Sequence, residues 1–289
     1  MTEMANMPSP KRKEGYGPMR FHKKDGVVFM TLPLLDEAKD FGHAFSTRIG
    51  GVSTGYLGTL NMGTREPSDA ENAKENHRRF AAAVGYDPYF EAYGVQTHST
   101  NIRQITREDA GKCRGGESSF QDVDGLITDV PGAALLVFTA DCVPLIVMDP
   151  AHRAAACAHS GWRGTVADMG GTVLRAMHDA FGTMPGDVLA GIGPSICRDC
   201  YEVSEDVIEK VREAYPEKSW DRLFTEKGGG KYQLDLWEVC RENFLRAGVP
   251  ADHIAVTDLC TACNPDLLFS HRATGGKRGL LASAVFIRE

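Results

Sequence analysis

No apolar run in this sequence approaches the roughly 18 residues that a bilayer-spanning helix requires, so no such helix is expected. A basic stripe is missing too. Lys and Arg number 32 against 39 Asp and Glu, a net charge of −7, which argues against nucleic acid as a partner. There is no Gly-x-Gly-x-x-Gly fingerprint and no P-loop lysine, although Thr47–Gly63 is rich in glycine; nucleotide phosphate is therefore not recognised by a known loop motif. A His-x-His pair is absent, against a multicopper centre built from many imidazoles. So is the His-x-Glu…Pro-Cys-x-x-Cys signature of zinc deaminases. The basic residues Lys11, Arg12, Lys13, Lys23 and Lys24 lead into no apolar stretch, so no export signal is read. Eight scattered cysteines without such a signal point to reduced thiols in a cytoplasm.

What is present suffices for a large core. The 289 residues are 42% hydrophobic and 25% charged, as in ordinary globular proteins. Residues 1–25 lack periodicity and are expected to be a mobile tail, with residues 26–289 forming a single domain. Helices are expected over Ser68–Val84, Val166–Phe181, Ser204–Ala214 and Leu236–Ala247, from apolar spacing, caps and glycine stops. His77 falls on the packing face of the first. Short strands are read at 27–30, 42–46, 92–95, 126–128, 133–138, 188–192, 254–257 and 280–287. They outnumber the helices and do not alternate regularly with them, which gives an α+β fold with mixed sheets.

The densest signals lie in Thr139–Gly164, TADCVPLIVMDPAHRAAACAHSGWRG. Two apolar runs, Val143–Met148 and Ala154–Ala158, flank Asp149-Pro150-Ala151-His152, which reads as a tight turn. A hairpin with Asp149 facing His152 sets Cys142 opposite His159, close enough to share a metal or a proton. His98 ends another strand in polar company. His98, Cys142 and His159 together offer N, S and N donors with one tetrahedral position open, the pattern of a catalytic zinc. A Cys–His nucleophile pair, or two ordinary strand-end residues, fits the same letters. Asp141, beside Cys142, is a candidate for proton handling, or else a hydrogen-bonding residue that fixes the loop. Arg163 precedes a helix start and Arg48 opens the glycine-rich loop, so their guanidinium groups are expected to close on an anion from two sides.

Two Cys-x-x-Cys pairs, Cys197/Cys200 and Cys260/Cys263, have the internal spacing of a structural zinc site. With 59 residues and a helix between them, a compact zinc ribbon is not expected. They are read as reduced thiols lining a common pocket, with no second zinc. Cys240 and Cys157 read as core.

Six stretches carry a wider likeness: FSTRIGGVSTGYLGTLNMG, GVQTHS, DGLITDVPGAALLVFTADCVPLIVMDP, AHSGWRGT, GIGPSICRDCYEV and DLCTACNPDLLFSHR. In this order they resemble the YfiH-like, or laccase-domain, family of purine nucleoside phosphorylases, some of whose members were once called multicopper polyphenol oxidases. The likeness runs from about Gly42 to Ile287 and does not reach the leader. It implies an α+β layered sandwich and a zinc held by His98, Cys142 and His159. It also implies phosphorolysis of adenosine, inosine and methylthioadenosine, with adenosine deamination at the same site. Arg48, Asn61, Arg163 and Arg272 sit in matching motifs and are expected to bind phosphate or ribose. Copper is the less favoured metal. The competing readings are a hydrolase that edits peptidoglycan precursors carrying muramoyl peptides on nucleotides, a copper polyphenol oxidase, and a non-catalytic metal-dependent interaction protein. No obligate protein partner is evident. One departure stands out: Cys197-Arg-Asp-Cys200 replaces the paired cysteines that relatives often show before Tyr-Glu.

Overall fold

The two central apolar runs do pair, in a register two residues from the expected one. Strands Val143–Asp149 and Ala154–Ser160 are antiparallel, with Asp149 opposite Ala154 and Pro144 opposite His159. The turn is therefore longer than a Asp149–His152 pairing would make it. The buried Asp149 carboxylate organises it, accepting from the backbone N–H of Ala151 and His152 and pairing with the His152 ring. The apolar runs lack polar alternation because both faces are covered. Leu145, Val147, Ala154, Ala156 and Ala158 join one hydrophobic core, while Ile146, Met148, Ala155 and Cys157 join another.

This computed structural model describes residues 8–64, 66–113 and 120–289. Two six-stranded mixed sheets pack on each other. In one, strands run in the order Arg20–Lys24, Val27–Thr31, Phe41–Ser46, Leu281–Ile287, Ala134–Thr139, Glu91–Ala92. In the other the order is Ile254–Val256, Leu189–Ile192, Val143–Asp149, Ala154–Ser160, Gly125–Thr128, Ile102–Gln104. Helix Ala70–Val84 covers the outer face of the first sheet, and helices Met169–Phe181 and Leu236–Arg246 cover the second. The expected α+β layered sandwich is the observed architecture. No helix among the described residues is long and apolar enough to cross a membrane.

Three local expectations change. Residues 8–24 are not a loose tail: Arg20–Lys24 pairs with Val27–Thr31, and Lys13 donates its backbone N–H to Asp258 O at 2.8 Å. Asp25 and Gly26 both have positive φ (49° and 82°), the backbone a two-residue hairpin turn demands. Residues 1–7 of the expected tail lie outside the described residues. The helix expected from Val166 is two helices, Trp162–Val166 and Met169–Phe181. Asp168 caps the second, its side chain accepting from Gly171 N. The helix after Ser68 begins at Ala70, and Ser68 bonds Glu66 instead of capping.

Candidate metal centre and cavity

The Thr139–Cys142 segment crosses from one sheet to the other, from strand Ala134–Thr139 to strand Val143–Asp149. That crossing needs a sharp bend, and Asp141 takes it with φ 89°. Its carboxylate secures the bend: one oxygen accepts from Thr261 Oγ1 at 2.6 Å and the other from the Arg272 backbone N–H at 2.7 Å. Each oxygen thus holds a loop, which is the hydrogen-bonding alternative to proton handling.

Cys142 leaves this bend one residue before the paired strand, so the two-residue register change puts it beside Gly161 and diagonal to His159. Side chains alternate with period two, so an even shift keeps Cys142 and His159 on one face. A Cβ on Gly161 would meet His98 Cδ2 at 2.6 Å and Cys142 Sγ at 3.4 Å; only glycine leaves room for the two side chains to converge. Donor atoms of His98, Cys142 and His159 all lie within 4.8 Å of one another. Cys142 Sγ is 3.9 Å from His98 Nε2, and the two imidazoles meet edge to face at 4.9 Å between centroids.

Asp124, buried at the start of strand Gly125–Thr128, holds this arrangement. Its carboxylate accepts the backbone N–H groups of Thr97, His98 and Ser99, the Ser99 hydroxyl, and His159 Nδ1 at 2.7 Å. The first three bonds grip the chain around His98, whose φ is 65°. The last fixes the His159 ring so that Nε2 faces Cys142, the usual service of a carboxylate behind a metal-binding histidine. Burial would raise the Asp124 carboxyl, but the bonds from His159, Thr97 and Ser99 outweigh it and hold the group below the usual carboxylate range. Burial likewise pushes the Cys142 thiol up, yet hydrogen bonding from His159 and His98 brings it to about 6. His159 moves the opposite way: burial lowers it, and Asp124 and Cys142 raise it to about 9. A thiolate is the ligand form of cysteine, whereas an imidazole ligates only when neutral, so a metal entering here would displace the His159 proton.

The three donors open on a cavity of about 720 Å³ whose wall includes Tyr56, Asn61, Phe138, Thr139 and Arg278. Two residues of that wall carry a buried polar atom with no partner among the described residues, Thr139 Oγ1 and Arg278 Nε. Burial pulls the Arg278 guanidinium below its ordinary value, with Asp141 and Cys142 opposing. Sequence reading passed over Arg278 and Asp124; the only hint was their place inside the HRATGGKR and DVDG segments.

Of the other expected binding residues, Arg48 is committed elsewhere. Its guanidinium donates to Gly58 O (2.9 Å) and Pro265 O (2.7 Å) and stacks on Phe269. It ties the glycine-rich loop to the 265 loop, so the two-sided clamp of Arg48 with Arg163 does not form. Asn61 reaches the cavity wall but spends its amide on Gly63, Asp69 and Leu280. Arg272 donates to Cys200 O and Glu202 O. Arg163 is exposed and lies over the Trp162 ring, 4.5 Å from its centroid. It still shares a neighbourhood with the centre. The Tyr201 hydroxyl is pushed up to about 12 by burial, with Cys142 and Asp141 adding and Arg272 and Arg163 opposing. Gly50 and Gly51 of the loop serve internal packing: a Cβ on Gly51 would strike Thr59 O at 2.2 Å, and the buried Asn76 amide binds the loop at Val52, Ser53, Thr59 and Asn61.

The family model described as multi-copper polyphenol oxidoreductase laccase matches residues 42–288. The chain belongs to that family. Within it, the chain is 34% identical over 245 residues to purine nucleoside phosphorylase YlmD of Geobacillus stearothermophilus, covering 84% of this chain and 89% of that one. It is 32% identical to adenosine deaminase RL5 of an unknown prokaryotic organism, covering 88% and 98%. The crystal structure of the hypothetical protein YfiH of Bacillus licheniformis superposes with TM-score 0.87 at 30% identity, covering 94% of this chain and all of that one. For this member of the laccase family, imidazole-rich multicopper ligation has no counterpart among the described residues. The groups able to hold a metal there are His98/Cys142/His159 and a set of four cysteines.

Proposed function

We propose that this chain is a zinc-dependent purine nucleoside phosphorylase, acting on adenosine, inosine and methylthioadenosine, that also deaminates adenosine. One observation carries the reading: three N, S and N donors meet at a cavity of nucleoside size whose wall also includes the Arg278 and Thr139 side chains. The names of the relatives point the same way. Two imidazoles and a thiolate suit zinc and leave a position open to the cavity. A copper electron-transfer site with the same donors adds a weak axial methionine, and no methionine lines this cavity. When bound, zinc supplies a Lewis acid and brings the pKa of a coordinated water to about 7.

The chain's own residues supply the rest. His98, Cys142 and His159 would hold the ion, with Asp124 keeping the His159 tautomer. Arg278 and Thr139 would bind the phosphate, replacing its water shell with fixed donors. Phe138 and Tyr56 offer aromatic faces to the purine. In phosphorolysis a phosphate oxygen bonds to the ribose C1′ as the bond to the purine nitrogen breaks. The electron pair leaves with the base, which then takes up a proton. Deamination adds water at C6 and releases ammonia, and consumes no phosphate.

Product analysis tests this. Adenosine with phosphate is expected to yield adenine and ribose 1-phosphate, and adenosine without phosphate only inosine. Untouched adenosine, with turnover of a muramoyl-serine nucleotide or a phenol instead, would overturn the reading.

A further inference from the structure

We propose that Cys197, Cys200, Cys260 and Cys263 form a second metal site, a closed tetrathiolate that takes zinc and serves as a structural knot beneath the first. The 59 residues that separate the pairs do not separate them in space. Strands Leu189–Ile192 and Ile254–Val256 are parallel neighbours, with Ile192 beside Val256. Parallel neighbours deliver their following loops to the same end of a sheet, and the pairing continues there as a bridge between Ser195 and Cys260. Each Cys-x-x-Cys then turns tightly. Cys200 N donates to Cys197 O at 3.1 Å, and the Asn264 amide closes the second turn onto Cys260 O at 2.8 Å.

The outcome is four sulfurs within 4.8 Å of one another. Cys200 Sγ and Cys263 Sγ are 3.5 Å apart. A tetrahedron with zinc–sulfur bonds of about 2.3 Å has edges of about 3.8 Å, so the spacing suits an ion at the centre. A disulfide needs about 2.05 Å, and all four cysteines are free. The Cys197 backbone N–H already donates to Cys260 Sγ at 3.3 Å, the kind of bond that steadies a coordinated thiolate. Cys197 and Cys260 are buried while Cys200 and Cys263 are half-buried, which leaves an entry side. Four soft thiolates select zinc or iron over hard cations. The leader packs over the same loops: Lys11 N donates to Asn264 Oδ1 at 2.7 Å, and the Lys13 ammonium binds Asp199, between the first two cysteines.

The site has a consequence for the first centre. Ile196 N donates to Asp141 O, and Thr261 Oγ1 to the Asp141 carboxylate. Both cysteine loops therefore grip the residue that sets Cys142. A metal at the four sulfurs would hold the first centre in register without touching its ligands or the cavity.

Metal analysis of the protein purified under reducing conditions, with the Cys142→Ser variant beside it, tests the proposal. The wild type is expected to carry two equivalents of zinc per chain and Cys142→Ser one. Cobalt(II) exchanged into that variant should show the intense sulfur-to-metal charge transfer of an all-thiolate site. Cys260→Ser/Cys263→Ser should lose that spectrum and one equivalent. Should that variant fail to fold, the Cys142→Ser measurement decides alone. Iron in place of zinc would correct the metal and keep the site. A metal-free Cys142→Ser protein, an equivalent in Cys142→Ser that survives loss of Cys260 and Cys263, or a Cys197–Cys260 or Cys200–Cys263 disulfide in the reduced preparation would overturn it.

Discussion

The molecule carries two sulfur-containing clusters, and they differ in every respect that separates chemistry from scaffolding. His98, Cys142 and His159 mix nitrogen and sulfur, stand at a cavity, and range from exposed to buried. The four cysteines are uniform, sit between two loops, and line no part of that cavity. Three donors leave an open position and four thiolates leave none. The cluster that is open to ligand is also the one braced by a buried carboxylate, Asp124, which fixes a histidine tautomer. The cluster that is closed is braced by backbone groups and a neutral side-chain amide, that of Asn264. The lesson is that donor count and the wall beside it assign the roles more surely than the metal's identity does.

The largest expected effect breaks this contrast outright. Cys142→Ala removes one of three ligands and should abolish phosphorolysis, a greater loss than the roughly 10–100-fold expected from losing an outer partner. Metal in the tetracysteine set should survive, and metal content measured alongside activity checks both. Next comes Asp124→Asn, which keeps the shape but deprives His159 of its carboxylate. Zinc affinity and activity should each fall about 10–100-fold, read by competition with a chelator; an unchanged affinity would mean that Asp124 only supports the loop.

A smaller effect distinguishes the two arginines closest to the question. Arg278→Ala should raise the KM for phosphate roughly ten- to a hundredfold, about 1.5–3 kcal/mol for one charged hydrogen-bonding partner, with the KM for adenosine little changed. Equal loss of deamination, which uses no phosphate, would show that Arg278 holds the cavity wall instead. The smallest effect belongs to Arg48→Ala. Gly58 O and Pro265 O lose their donor, so thermal stability should fall by about 1–3 kcal/mol while the KM for phosphate stays within twofold. A large rise in that KM would return Arg48 to the site.

Much of this was legible in the residues. The convergence of Cys142 with His159 followed from a hairpin whose register was misjudged by two, and an even error preserves the face. The α+β class followed from strands outnumbering helices. What escaped notice depended on distant backbone. Asp124 earns its role from the N–H groups of Thr97, His98 and Ser99, none of which announces itself in a sequence. The two Cys-x-x-Cys pairs were judged by separation along the chain, whereas parallel strand pairing decides their distance. The strand at Arg20–Lys24 did carry a signal, Asp25-Gly26, but lysines around it resembled a solvated tail. Arg48 and Arg163 looked alike beside glycine-rich segments; only the carbonyls that claim Arg48 tell them apart.

The most direct measurement is anomalous diffraction at the zinc edge from crystals of the protein as purified. The expected map has one peak bonded to His98 Nε2, Cys142 Sγ and His159 Nε2 with a fourth position toward the cavity, and a second peak enclosed by the sulfurs of Cys197, Cys200, Cys260 and Cys263. A map with no peak at the first position, or with the Cys142 sulfur turned away from both imidazoles, would contradict the assignment of that cluster as the reactive centre.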